Sequence, residues 1–235
     1  MYCGVGVVGL DALRMEACRR PRMKVCCIGS VEEARLAVRY GACAVGLVGK
    51  MPSGPGVIGE ELICAIARTV PPGVASFLLT SEQKVSAIID QQRRCGVNTL
   101  QIVDRLEEGT YGDLRAALPG VGLVQVIHVR GEESLDEACE VARAGVDAIL
   151  LDSGNPALAV KLLGGTGKTH DWSISRRIRE AVQVPVFLAG GLNAGNVKEA
   201  VDAVGSFGVD VCSGLRTEGK LDEAKLAAFA RAIGI

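Results

Sequence analysis

Short apolar runs and amphipathic helical patterns alternate eight times along this chain, and no other feature limits its possible folds as strongly. The apolar runs are rich in Val, Ile and Leu and predict strands at residues 24–28, 44–48, 74–79, 99–103, 122–127, 148–151, 184–189 and 208–212. Helical spacing of apolar residues predicts helices at, among other places, residues 31–40, 81–95, 134–144, 174–182, 194–204 and 221–233. Because strands that alternate with helices pair in parallel, eight such units predict a single (β/α)8 TIM barrel.

Three glycines stand where helices of such a barrel should end. Gly41, Gly96 and Gly145 each follow a helical pattern and precede an apolar run. Glycine is favoured there because it readily adopts the left-handed conformation that ends many helices. These positions therefore predict helix-to-strand turns.

An open, doubly wound sheet is the main alternative to the barrel. Segment 4–9 matches the dinucleotide-binding pattern G-x-G-x-x-G. In dinucleotide-binding folds that pattern joins a strand to a helix, and here only three residues precede Gly4. We therefore treat the match as coincidental.

The length and composition suit one domain without nucleic-acid or membrane partners. The chain has 235 residues, 49% of them hydrophobic, so it can bury a core without disulfides or metal ions. We expect residues 23–235 to form the barrel and residues 1–22 to be an N-terminal extension or the product of an overcalled start. A net charge of −1 gives no general attraction to nucleic acid or acidic lipid. No apolar run reaches the ~18 residues of a membrane span.

The cysteines and histidines predict neither disulfides nor a metal site. The nine cysteines are odd in number and include no C-x-x-C pair. They are typical of free thiols in a reducing compartment, so we expect a cytoplasmic protein. Neither His128 nor His170 lies in a ligand-spaced cluster with cysteine.

Small residues follow predicted strands six, seven and eight, and they are candidates for binding a phosphate group. Backbone amides at glycine-rich turns and helix N-termini bind anions, and barrels often bind phosphate after strands seven and eight. The candidates are Gly165 and Gly167 after strand six, Gly190 and Gly191 after strand seven, and Ser213 and Gly214 after strand eight. We therefore expect a phosphorylated small molecule as ligand.

The loop after strand six also ends like a nucleotide-binding P-loop. The P-loop pattern requires glycine at position 162, which is Leu162, and the loop does not follow its strand directly. We expect instead that segment 153–170 is a mobile loop that closes over a smaller phosphate ester, with Gly154, Gly164 and Gly165 as hinges.

Two strand ends offer groups for acid–base chemistry. Asp152 lies at the carboxyl end of predicted strand six, where a carboxylate is costly unless it has a partner or a function. Cys26 and Cys27 lie on predicted strand one. Because side chains alternate along a strand, we expect only one of these two thiols to reach a substrate.

Five motifs, in order from about Lys24 to the C-terminus, closely resemble those of the phosphoribosylanthranilate isomerase family. The motifs of the second half are the more specific, above all the glycine-rich loop that ends in Asp-Trp. The motifs are KVCCI at 24–28, LLDS at 150–153, GGTGKTHDW at 164–172, LAGGLN at 188–193 and GVDVCSG at 208–214.

The resemblance implies a cofactor-free Amadori rearrangement in tryptophan biosynthesis, which converts an aminoaldose phosphate into an aminoketose phosphate. The family's K-x-C cysteine, the general base at the sugar C2, corresponds to Cys26. The aspartate of its L-L-D motif, the general acid on the furanose ring oxygen, corresponds to Asp152. A cysteine base requires a thiolate, which we expect the cation of Lys24 to favour. The expected partner is a phosphorylated sugar, and the expected assembly is a monomer or homodimer.

Three segments depart from the family pattern, at the end that would bind the aromatic acid. After strand two, the family has S-P-R, and Gly56 stands nearest to the position of its arginine. After strand four, the family's Q-L-H-G is replaced by QIVD at 101–104. After strand eight, the family's S-G-V-E is replaced by SGLR at 213–216. The candidates for a replacement cation are Lys50 and Arg216, with Arg105 and His128 as further possibilities.

Other functions stay open on the sequence alone. A diverged isomerase of another ribose phosphate derivative would explain the altered aromatic end. An aldolase or lyase would need a Schiff-base lysine at an inward strand position, a role that suits neither Lys24 nor Lys168. A non-catalytic relative that binds phosphate esters would explain the lost arginine but not the retention of Cys26 and Asp152.

Overall fold

The computed structural model describes residues 20–154 and 169–235. In these residues eight parallel strands close into one barrel in chain order, with β1 paired to both β2 and β8. The (β/α)8 prediction is confirmed. The strands are β1 Arg22–Val25, β2 Ala44–Val48, β3 Ala75–Thr80, β4 Thr99–Ile102, β5 Gly122–His128, β6 Ala148–Asp152, β7 Val186–Leu188 and β8 Gly208–Val211.

Helices follow the strands and surround the barrel. They are α1 Val31–Arg39, α2 Glu60–Ala67, α3 Val85–Cys95, α4 Tyr111–Ala117, α5 Glu133–Arg143, α6 Trp172–Ala181, α7 Val197–Val204 and α8 Glu223–Ala232. Between β8 and α8 the chain forms a short 3-10 turn, Ser213–Leu215, and a small hairpin, β9 Arg216–Thr217 and β10 Lys220–Leu221. No helix within 20–154 and 169–235 is long and apolar enough to cross a membrane.

The predicted helix ends are confirmed at three glycines. Gly41, Gly96 and Gly145 have φ angles of 86°, 65° and 99°, all in the left-handed region that favours glycine. Each returns the chain from a helix to the next strand.

The first strand differs most from its predicted bounds. It covers Arg22–Val25, whereas the apolar run predicts 24–28. The strand ends early because Cys27 has φ +60°, which is incompatible with extended backbone. The barrel therefore begins at Arg22, one residue inside the predicted extension, most of which lies outside the described residues.

Apolar side chains form two layers, one between strands and helices and one inside the barrel. The outer layer includes Val25, Leu47 and Leu100, all fully buried. Inside the barrel, the rings of Phe77 and Phe187 meet edge to face with centroids 6.1 Å apart. The barrel interior is thus a packed core, and a ligand has to bind at its carboxyl end.

One ion pair lies inside this core. Lys24 is fully buried, and its Nζ donates to Asp210 Oδ1 at 2.8 Å. Burial alone would lower the pKa of Lys24, but Asp210 and the thiols of Cys26 and Cys27 raise it, so the ammonium stays charged. Lys24 does occupy an inward position, but its pairing with Asp210 leaves no free amine of the kind that a Schiff base requires.

Candidate active site

A pocket opens at the carboxyl ends of the strands and brings Cys26 and Asp152 to one cavity. Cys26 follows β1 and Asp152 ends β6, three strands away around the barrel, so the two groups face the cavity from different sides. The other lining residues come from the loop after β2 and from the ends of β7 and β8. They include Met51, Ser53, Gly54, Pro55, Gly190, Gly191, Cys212 and Ser213.

Asp152 is held by its own strand and by the residue that follows it. It is the last residue of β6, in register with His128 of β5. The backbone N–H of Ser153 donates to Asp152 Oδ1 at 2.7 Å. One carboxylate oxygen is thereby oriented while the residue remains only half-buried and open to the cavity. Such a carboxylate can exchange a proton with a bound ligand.

His170 lies close enough to Asp152 to interact with it electrostatically. Burial lowers the pKa of His170, and the charges of Asp152 and Asp171 offset part of that effect. Its Nε2 and the Oγ of Ser175 form a hydrogen bond of 2.7 Å. The ring is therefore neutral near pH 7, and the hydrogen bond with Ser175 fixes it at the start of α6.

Cys26 and Lys24 are brought together by a glycine on the neighbouring strand. A Cβ atom on Gly46 would lie 2.8 Å from Cys26 Sγ and 3.0 Å from Lys24 Nζ, so both groups fill the space that a side chain would take. The absence of a side chain at Gly46 therefore lets the ammonium of Lys24 and the thiol of Cys26 lie side by side. The expected effect of Lys24 on the Cys26 thiol stays a prediction.

The expectation that Cys26 and Cys27 point to opposite faces is wrong. Both line the cavity, and both belong to the apolar cluster inside the barrel. The alternation rule holds only for extended backbone, and Cys27 lies past the end of β1 with φ +60°. The site consequently holds two adjacent thiols where one was expected.

Cys27 also explains why residue 56 carries no side chain. Gly56 has φ +81°, and a Cβ there would lie 2.5 Å from Cys27 Cβ. Any larger residue would have to displace Cys27 and also adopt an unfavourable backbone conformation. The position nearest to the family's arginine thus has no room for a cation while Cys27 is present.

The turns after β7 and β8 contact each other at the rim of the barrel. Gly190 and Gly191 have φ angles of 87° and 62°, which close a tight turn with little steric cost. A Cβ on Gly214 would overlap the carbonyl oxygen of Leu192, so the second turn packs directly on the first. Gly190, Gly191 and Ser213 line the cavity, whereas Gly214 provides the close approach.

Replacing Gly214 by alanine tests this packing. We expect Gly214→Ala to lose ~1–3 kcal/mol of unfolding free energy, because the added methyl group overlaps backbone that cannot yield easily. We also expect weaker stabilisation by inorganic phosphate, measured as the shift in Tm on adding phosphate. Gly112→Ala is the matched control, because it lies inside α4, where alanine is favoured, and its new Cβ would make only an ordinary contact with Thr110 Oγ1 at 3.4 Å. Wild-type stability and phosphate response in Gly214→Ala would contradict the packing argument.

The two cations expected to bind an aromatic acid lie elsewhere. Lys50 is exposed after β2 and is not among the residues that line the cavity. Arg216 forms an ion pair with Glu33 at 3.1 Å and donates to the carbonyl oxygens of Cys26 and Cys27. Arg216 therefore holds the end of β1 in place from behind the cavity.

Gln101 is a lining residue that the sequence did not single out. It lies on β4, is 3% exposed, and its side-chain Oε1 has no hydrogen-bond partner among the described residues. A buried amide oxygen without a partner is costly, so it is a candidate contact for a ligand hydroxyl or amine. The only indication in the sequence was that Gln101 begins QIVD, the segment that corresponds to the family's Q-L-H-G motif.

Some predicted features fall outside the described residues. Gly165 and Gly167 do, as does most of the predicted mobile segment 153–170. Within 20–154 and 169–235, no group of three or more His, Cys, Asp or Glu side chains could hold a metal ion.

Comparison with known proteins gives one consistent result for the sequence. The family model for N-(5'-phosphoribosyl)anthranilate (PRA) isomerase matches residues 24–232. N-(5'-phosphoribosyl)anthranilate isomerase 2 of Methanosarcina mazei is 37% identical over 210 residues, which cover 88% of this chain and 92% of the relative. The corresponding protein of Haloferax volcanii is 37% identical over 220 residues, covering 90% and 92%.

Solved structures agree with the sequence comparison. The phosphoribosyl anthranilate isomerase of Thermotoga maritima superposes with a TM-score of 0.74 at 29% identity, covering 91% of this chain and 98% of that one. A second structure, at TM-score 0.72 and 26% identity with the same coverage, is a phosphoribosyl anthranilate isomerase in complex with reduced 1-(o-carboxyphenylamino)-1-deoxyribulose 5-phosphate.

Proposed function

The chain belongs to the N-(5'-phosphoribosyl)anthranilate isomerase family, and on that premise we propose that it isomerises N-(5'-phosphoribosyl)anthranilate at this cavity, with Asp152 as acid and Cys26 as base. The observation that carries the proposal is the placement of both residues around one cavity, together with the paired turns after β7 and β8. The reaction is an aldose–ketose isomerisation that needs no cofactor.

The proton transfers of this reaction match the two groups. Asp152, in its acid form, donates a proton to the furanose ring oxygen, and the ring opens to a protonated imine. The Cys26 thiolate removes the proton from C2, which gives an enamine that tautomerises to the aminoketose. Each step needs a positioned group within reach of one substrate, and the cavity offers one on each side.

The phosphate group of the substrate has a separate proposed position. The turns that carry Gly190, Gly191 and Ser213 meet at the cavity wall formed by β7 and β8. Small residues leave their backbone amides accessible to an anion, which supports phosphate binding there. With the phosphate held beside β8, the sugar extends toward both Cys26 and Asp152.

Location and assembly remain predictions. The described cysteines are all free, which agrees with a reducing cytoplasm. We propose that this chain works as a monomer or a homodimer; a similar solved structure is of mutually generated monomers of the dimeric Thermotoga maritima enzyme.

Identification of the reaction product tests the proposed function. We expect the purified chain to convert N-(5'-phosphoribosyl)anthranilate into an aminoketose phosphate. Because isomerisation leaves the mass unchanged, nuclear magnetic resonance of the sugar carbons is the appropriate measurement, with a new ketone carbon as the expected result. An unchanged substrate, in the presence of folded protein that still binds phosphate, would favour the alternative of a diverged relative acting on another phosphate ester.

A further inference from the structure

The cavity contains a thiol pair that the isomerisation does not use. Cys212 Sγ lies 2.7 Å from Cys27 Sγ. This separation exceeds the length of a disulfide bond, about 2.05 Å, by less than 1 Å. The two sulfurs are therefore almost within bonding distance in a chain whose described cysteines are all free.

The barrel itself produces this pairing. β1 and β8 are neighbours, with Lys24 opposite Asp210 and Val25 opposite Val211, and Cys26 N donates to Val211 O at 2.9 Å. If this register is continued by one residue, Cys26 stands opposite Cys212. The φ of +60° at Cys27 then turns its side chain back into the cavity instead of outward, where it meets Cys212.

Hydrogen bonds from Arg216 fix the backbone that carries Cys27. Arg216 donates to the carbonyl oxygens of Cys26 and Cys27 and is itself paired with Glu33 at 3.1 Å. The two sulfurs are thus held close by fixed structure, and such preorganised thiols form disulfides with little rearrangement.

Oxidation by a peroxide begins at a thiolate, and Cys212 forms a thiolate more readily than Cys27 does. The hydrogen bond to Cys27 and the charge of Arg216 lower the pKa of Cys212, against the effect of burial. The hydrogen bonds to Cys212 and Cys26, together with burial, raise the pKa of Cys27. Cys212 is also the more exposed of the two and lines the open cavity, so a small oxidant can reach it.

We propose that Cys27 and Cys212 form an oxidative modification site, which a hydroperoxide converts to an intramolecular disulfide across the ends of β1 and β8. The Cys212 thiolate attacks the peroxide O–O bond, so that Cys212 becomes a sulfenic acid and the peroxide is reduced to an alcohol, or to water for hydrogen peroxide. The Cys27 sulfur then attacks Cys212 sulfur, the S–S bond forms, and water leaves with the Cys27 proton. Two thiols lose two electrons, and one peroxide gains them.

The disulfide connects the segment that carries Cys26 to the turn that carries Ser213. Both belong to the cavity wall, and closing the sulfur separation moves them toward each other. Oxidation therefore lowers turnover, and a dithiol reductant restores it by thiol–disulfide exchange.

Peptide mapping tests the site without relying on the isomerase reaction. The full chain is treated with hydrogen peroxide under native conditions, remaining thiols are alkylated, and trypsin is added. We expect a cross-linked pair of peptides, 25–35 joined to 199–216, which disappears after treatment with dithiothreitol. Peptide 25–35 contains two cysteines, so variants have to assign the bond.

Matched variants decide between the two thiols. The cross-link should persist in Cys26→Ser and be absent in both Cys27→Gly and Cys212→Ser. Glycine suits φ +60° at position 27 and serine nearly matches cysteine in size, so both variants are expected to fold. No cross-link in the wild type, or a cross-link that survives in Cys27→Gly, would overturn the proposal, as would oxidation of Cys212 only to sulfinic acid.

Discussion

Asp152→Asn is expected to reduce kcat by about 10²- to 10⁴-fold, the range over which a positioned general acid contributes. Asparagine has nearly the same shape, and its Oδ1 can still accept the hydrogen bond from Ser153 N. It has no acidic proton, however, so the furanose ring of the substrate would have to open without a donor. The fold and the binding of phosphate should remain.

The measurement is steady-state turnover, read from the loss of phosphoribosylanthranilate fluorescence, with circular dichroism and Tm as checks on folding. Asp202→Asn on α7 is the matched control, because its side chain is exposed and lies on the outer surface of the barrel. Asp202→Asn should turn over like the wild type. If Asp152→Asn kept more than a tenth of wild-type kcat, the assignment of the acid would be wrong.

Cys26→Ser is expected to have an effect of similar size. Serine places an oxygen where the sulfur stood, but a hydroxyl is far harder to deprotonate than a thiol, so no base of suitable strength remains beside C2 of the substrate. Lys24 would still be paired with Asp210 at 2.8 Å, so the barrel interior should stay intact. The expected result is loss of kcat with little change in Tm.

Cys27 makes a control necessary here, because its thiol lines the same cavity. If residual turnover in Cys26→Ser disappears in the double variant with Cys27→Gly, then Cys27 acts as a weak substitute base. Cys139→Ser, a substitution on α5 away from the cavity, controls for loss of a cysteine as such. Wild-type turnover in the double variant would exclude a cysteine base at this position.

The architecture and the position of Asp152 were predictable because they depend on local patterns. The apolar run before Asp152 is a strand by composition alone, and strands that alternate with helices place their carboxyl ends at one face. The turns at Gly190 and Gly214 were predictable for the same reason, because glycines that directly follow an apolar strand are typical of tight turns. The position of Asp152 at the end of β6 confirms this reasoning.

The orientation of Cys27 and the position of Arg216 were not predictable. A single residue with positive φ ends the alternation of a strand, and the letters KVCCI look like an uninterrupted strand. Arg216 and Glu33 are separated by 183 residues, so their pairing depends on the closure of the barrel between β1 and β8. Local sequence patterns do not predict contacts between residues so far apart in the chain.

The rate at which the wild-type chain consumes phosphoribosylanthranilate, measured by fluorescence alongside Asp152→Asn under identical conditions, tests the central claim most directly. The account predicts rapid loss of fluorescence with the wild type and a rate at least about a hundredfold lower with the variant. Equal rates for the two proteins, or no turnover by folded wild-type protein, would contradict the claim that this cavity isomerises that substrate through Asp152.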